Sequence, residues 1–144
     1  MFNIEHEITV QRPIEEVFAF VSDPSHYTEW QAELIDYRQT SPGPLGVGAM
    51  GVNVRQEMGR RIETTWEMSS YVPNKQFAIR STSGPISYEI ANTFAPTEAG
   101  TQVEIQFKGD ARGFFKLAEP LVMGSIIKSV ERDYGRLKQI LESR

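Results

Sequence analysis

From Phe114 onward the chain changes period, and that change constrains the fold more than any other feature. Phe114, Leu117, Leu121, Ile127, Val130, Tyr134, Leu137 and Leu141 recur mostly three and four positions apart, with Lys, Arg and Glu between them. The spacing predicts one long amphipathic helix, in which Gly124 and Gly135 each cost up to ~1 kcal/mol and Pro120 introduces an early kink. An apolar stripe this wide must be buried against something large.

The partner is legible upstream. Residues 2–10 alternate, with Phe2, Ile4, His6, Ile8 and Val10 on one face, as in a half-buried strand. Pro13, Glu15 and Glu16 then suit a helix start, and Ile14, Val17, Phe18 and Val21 keep helical spacing until Pro24. A second short helical piece is expected over residues 26–32, anchored by Trp30. Strand-like runs follow at 34–40, 47–57, 61–72, 76–82, 85–95 and 101–110, separated by the turn signals SPGP, MGR, VPNK, SG and PTEAG. The chain therefore reads as a single α+β domain over residues 1–144: one strand, short helices, a six-strand antiparallel meander and a closing helix.

One motif points elsewhere. Gly46 to Gly51 reads GVGAMG and satisfies GxGxxG. A dinucleotide site needs a strand before the glycines and a helix after them. Here a proline-rich loop precedes them and a strand-like run, VNVRQEM, follows. The glycines fit better as the entry into a strand with free space on one face.

Composition narrows the chemistry. There is no cysteine, which removes disulfides, thiolate metal sites and cysteine nucleophiles. Two histidines, His6 and His26, make a multi-histidine metal site a poor expectation. The net charge of −4, with dispersed basic residues, leaves no footprint for nucleic acid. No run approaches the length of a membrane span, and the N-terminal residues lack the apolar core of a signal peptide. A cytoplasmic protein without cofactor or metal is expected, with homodimer formation left open.

Strand alternation sorts the faces. A tight hairpin at Met58–Gly59 or Gly59–Arg60 puts Asn53 and Arg55 on the face of Thr64 and Trp66. A hairpin at Ser83–Gly84 puts Phe77 and Ile79 with Ile86, Tyr88 and Ile90, and Val103, Ile105 and Phe107 form the apolar set of the last strand. This face should look toward the closing helix. It also carries His6, Arg55 and Asn92, groups that packing alone would not choose.

RPIEEVFAFVSDPSHYTEW (Arg12 to Trp30), TTWEMSSYVPNKQFAIR (Thr64 to Arg80), AGTQVEIQF (Ala99 to Phe107) and the closing DYGRLKQILE stand in an order that resembles the START-like superfamily, also called SRPBCC. This group includes polyketide cyclase/dehydrase-like and Bet v 1-like proteins. The resemblance spans nearly the whole chain. It implies a helix-grip fold, a curved sheet of about seven strands wrapped around the C-terminal helix. It also implies a hydrophobic cavity between them, used for lipids, sterols, polyketides and other apolar molecules.

Three functions follow from this reading. The first is binding of a small hydrophobic molecule by Asn53, Arg55, Trp66, Met68, Phe77, Ile79, Tyr88, Asn92, Ile105, Phe107, Leu117 and Leu121. The second is a cyclase or dehydratase in which His6 is the base and Arg55 holds an enolate. The third is an interaction module with a self-filled cavity. Exposed apolar residues in FFKLAEPLVM (Phe114 to Met123) would serve as a mouth or as an interaction patch.

Overall fold

The computed structural model describes residues 1–57 and 59–144, the side chains of Phe114 and Phe115 excepted. The Met58 corner of the hairpin and the Phe114 contribution to the helical stripe lie outside the described residues. Strand β1 (Phe2–Val10) leads into α1 (Ile14–Ser22), a 3₁₀ turn at Pro24–His26 and α2 (Tyr27–Trp30). Strands β2 (Leu34–Gln39), β3 (Met50–Glu57), β4 (Arg60–Val72), β5 (Gln76–Ser81), β6 (Ile86–Pro96) and β7 (Thr101–Ala111) follow. The chain closes with α3 (Phe114–Leu117) and α4 (Glu119–Glu142). Among the described residues no helix is long and apolar enough to cross a membrane.

The seven strands form one antiparallel sheet in the order β1-β7-β6-β5-β4-β3-β2. Irregularities between Leu34 and Asp36 and between Met68 and Ser70 bend it locally, and the curved sheet grips α4. The predicted shared faces hold, with Asn53 opposite Thr64, Gly51 opposite Trp66, and Ile79 opposite Ile90. Period-two alternation then sends their side chains to the concave face.

Helix α1 buries Val17, Phe18, Phe20 and Val21. Phe18 meets the rings of Phe94, Tyr71 and Phe77 at centroid distances of 5.1, 5.7 and 6.1 Å. Such pairs add roughly 0.5–1.5 kcal/mol each beyond their buried area, and they close one end of the sheet. The far end of α4 is tied to the β1–α1 connection, where the Arg12 guanidinium donates to the carbonyls of Glu142 and Arg144. A cation at a helix C-terminus also suits the helix dipole.

Two expectations are corrected here. The closing segment is two helices, broken at Ala118, and Pro120 lies in the first turn of α4 instead of kinking a continuous helix. Proline is at home there because those first amides have no intrahelical acceptor. The space beside Gly51 is also not cavity. A Cβ on Gly51 would lie 2.3 Å from Trp66 Cζ2 and 2.1 Å from the Arg38 carbonyl oxygen. The glycine is there because the Trp66 indole lies across it.

Candidate functional site

Between the concave face and α4 lies a cavity of about 160 Å³. That far exceeds the ~10–15 Å³ needed for one water and resembles apolar cavities that admit a benzene-sized guest. Strands β2 to β7 supply one wall, Tyr27 and Trp30 close a side, and α4 supplies Val122, Ser125, Ile126, Ser129, Asp133 and Tyr134. The lining is mostly apolar, aliphatic side chains interleaved with aromatic rings. Tyr88 lies 5.2 Å from Phe107, and Trp30 packs edge-on to Tyr134 at 5.0 Å.

The charged groups of the lining are concentrated around one residue. Arg55 Nε donates to Glu57 Oε1 at 2.7 Å, and Nη1 donates to Gln31 Oε1 at 2.7 Å. Its Nη2 stands 3.9 Å from Asp133 Oδ2. Asp133 Oδ1 in turn accepts from the Ala32 amide at 3.2 Å and from Arg132 Nε at 3.0 Å, so α4 is bound to the α2–β2 connection. Just outside, Glu33 accepts from Ser129 Oγ at 2.6 Å and from Arg132 Nη2 at 3.1 Å. Burial raises the Glu33 carboxyl, but these two bonds together with the charges of Arg132 and Arg55 outweigh it and hold the group below the usual carboxylate range.

At the opposite end Tyr134 donates its hydroxyl to Asn92 Oδ1 at 2.7 Å, with both residues buried. Burial pushes the Tyr134 phenol well above its ordinary value. Tyr134→Phe is expected to lower unfolding free energy by about 1–3 kcal/mol, since it strands a buried acceptor. Urea titration checks it. A loss under a few tenths would mean that the bond is not made in solution.

The structure brings together seven of the expected residues: Asn53, Arg55, Phe77, Ile79, Tyr88, Asn92 and Phe107 all line the cavity. Trp66, Met68 and Ile105 are buried at 1%, 1% and 2% exposure but belong to the packed core beside it. Leu117 and Leu121 are displaced outright, at 88% and 71% exposure. The break at Ala118 resets the helical phase, so the buried stripe of α4 runs through Val122, Val130, Tyr134, Leu137 and Leu141. Leu121 falls one position off it.

His6 is also misplaced by the sequence reading. It lines a separate hollow between β1 and α4, with Glu5, Met123, Ile127 and Glu131, and packs edge-on to Tyr134 at 6.5 Å. Arg55 is five strand steps away, roughly 24 Å along the sheet at ~4.8 Å per step. A base–guanidinium pair built from these two residues does not form. Sequence reasoning missed Tyr27, Tyr37, Thr64 and the polar residues of α4. Of these, only Thr64 carried a usable signal, its shared face with Asn53.

A family model described as polyketide cyclase / dehydrase and lipid transport matches residues 1–142. An uncharacterised protein of Mycobacterium tuberculosis is 27% identical over 133 residues, covering 88% of this chain and 93% of its own. Among solved structures, TTHA0849 from Thermus thermophilus superposes with a TM-score of 0.84 at 19% identity, covering 98% of this chain and 97% of that one. The Zhui aromatase/cyclase from Streptomyces sp. R1128 superposes with a TM-score of 0.83 at 16% identity, covering 99% and 94%. At these identities the structural likeness speaks for the fold.

Proposed function

The chain belongs to the polyketide cyclase / dehydrase and lipid transport family, and from that premise we propose that it holds a small hydrophobic molecule in the cavity between the sheet and α4. The observation that carries this reading is the cavity itself, about 160 Å³ walled by aromatic and aliphatic side chains with a few inward polar groups. That is the usual form of a small-molecule site. Binding asks nothing further of these residues, whereas turnover would need a free base, and the two carboxylates of the wall, Glu57 and Asp133, are both set against Arg55.

Native mass spectrometry of gently purified protein, followed by a thermal-shift screen with fatty acids, quinones, flavonoids and sterols, tests the reading. A retained mass or a shift with one class supports it. A clean apo mass with no shift from any class would leave the cavity without a ligand.

Ser125→Phe supplies the control. Ser125 faces the cavity from α4, and a phenyl ring there would take the ligand's place. Denying a ligand ~100 Å² of apolar burial should weaken binding on the order of 100-fold. The fold should survive, as judged by circular dichroism. Unchanged affinity in a folded Ser125→Phe protein would put the ligand somewhere else.

A further inference from the structure

The cavity wall carries an uncharged polar row. Tyr37 on β2 pairs directly with Asn53 on β3, and Asn53 pairs with Thr64 on β4, so the three side chains cross the concave face side by side. Tyr88 on β6 turns its phenol toward the Asn53 side chain from the other direction. All four line the cavity. Asn53 is 6% exposed, and its Oδ1 has no hydrogen-bond partner. A buried amide oxygen without a partner is costly in an apolar site, and a guest hydroxyl is the kind of group that would satisfy it.

The charged groups make the opposite statement. Arg55 is the one Lys or Arg among the described lining residues, and Glu57 and Gln31 already occupy it, with Asp133 close by. Two lining carboxylates thus surround one lining guanidinium. An incoming carboxylate or phosphate would meet no free cation and would face both acids after losing its water.

We infer that the site selects an uncharged, ring-based molecule with hydroxyl or carbonyl oxygen along one edge, and rejects anionic amphiphiles. The aromatic walls take the ring faces. The Asn53 amide can rotate to accept from a ligand hydroxyl, and the hydroxyls of Tyr37, Thr64 and Tyr88 can donate to a ligand oxygen. The inference rests on the ligand-binding reading above and adds to it the charge and edge chemistry of the guest.

The test uses the full chain and three matched probes at pH 7: 2-naphthol, naphthalene and 2-naphthoate, titrated by calorimetry. Naphthol should bind about 3–10-fold more tightly than naphthalene, the gain expected of one neutral hydrogen bond. Naphthoate should bind at least about tenfold more weakly than naphthol. Asn53→Leu should abolish the naphthol advantage, read as the ratio of naphthol to naphthalene affinity within that variant. Thr64→Val should reduce that advantage, and it stands in if Asn53→Leu does not fold. Naphthoate binding as tightly as naphthol would overturn the inference, as would naphthol and naphthalene binding equally. Either result would leave the hydrophobic cavity standing. Failure of all three probes to bind would overturn the inference, and would overturn the binding reading too only together with a clean apo mass and no thermal shift from any ligand class.

Discussion

Trp66→Ala is expected to lower the unfolding free energy by about 3–5 kcal/mol, the range for deleting a large buried aromatic. Trp66 is 1% exposed and stacks on Tyr37 with centroids 5.0 Å apart and rings 19° from parallel. Its other edge lies against Gly51. Removing the indole therefore empties the sheet side of the core and frees Tyr37, which lines the cavity. Gly51→Ala attacks the same contact from below and should cost roughly 1–3 kcal/mol by overpacking. The two should not add. Without the indole the new methyl group still meets the Arg38 carbonyl oxygen but no longer the ring, so the double variant should lose less than the sum. Urea midpoints at constant m-value read all three. Strict additivity would mean that Gly51 and Trp66 do not touch in solution.

Above pH 10 the protein should lose stability steeply. Burial raises the Tyr27 phenol far above its ordinary value of 10.0, with Tyr134 and Asp23 adding to the effect, and burial does the same to Tyr134. Both side chains are only 4% exposed. Between pH 10 and these raised values the unfolded chain releases two protons that the native protein keeps. The unfolded state then binds fewer protons, so stability falls as pH rises and is fully present below pH 10. Two such groups give a slope of about 2.7 kcal/mol per pH unit. Tyr37 and Tyr88 are raised by burial in the same direction. Both border the cavity, and their ionisation adds to the same fall. Chemical denaturation at pH 9, 10 and 11 measures the slope, and Tyr134→Phe should remove close to half of the two-tyrosine part. Equal slopes in the two proteins would show that Tyr134 ionises in the fold as freely as in water.

Much of the strand content was legible because alternation leaves a signal at every second residue. Once Gly51, Asn53 and Arg55 were known to alternate with Val52 and Val54, the hairpin forced Thr64 and Trp66 onto the same face, and the structure agrees. The helical half was harder. Leu117 and Leu121 fit the apolar period, yet the break at Ala118 turns both to solvent. Apolar spacing is also blind to Ser125, Ser129 and Asp133, polar residues that face the cavity beside the apolar stripe.

Sequence alone determined the element order, the curved antiparallel sheet with a helix to bury, the family resemblance and most of the strand side chains that look inward. These follow from local period and turn chemistry, which are written along the chain. Tertiary structure decided which inward residues meet. It separated His6 from Arg55, filled the space at Gly51 with Trp66, and set Asp133 and Glu57 against Arg55. Those outcomes depend on how far α4 sits from the sheet and how strongly the sheet curves. Both are properties of packing between residues far apart in the chain, and no local pattern encodes them.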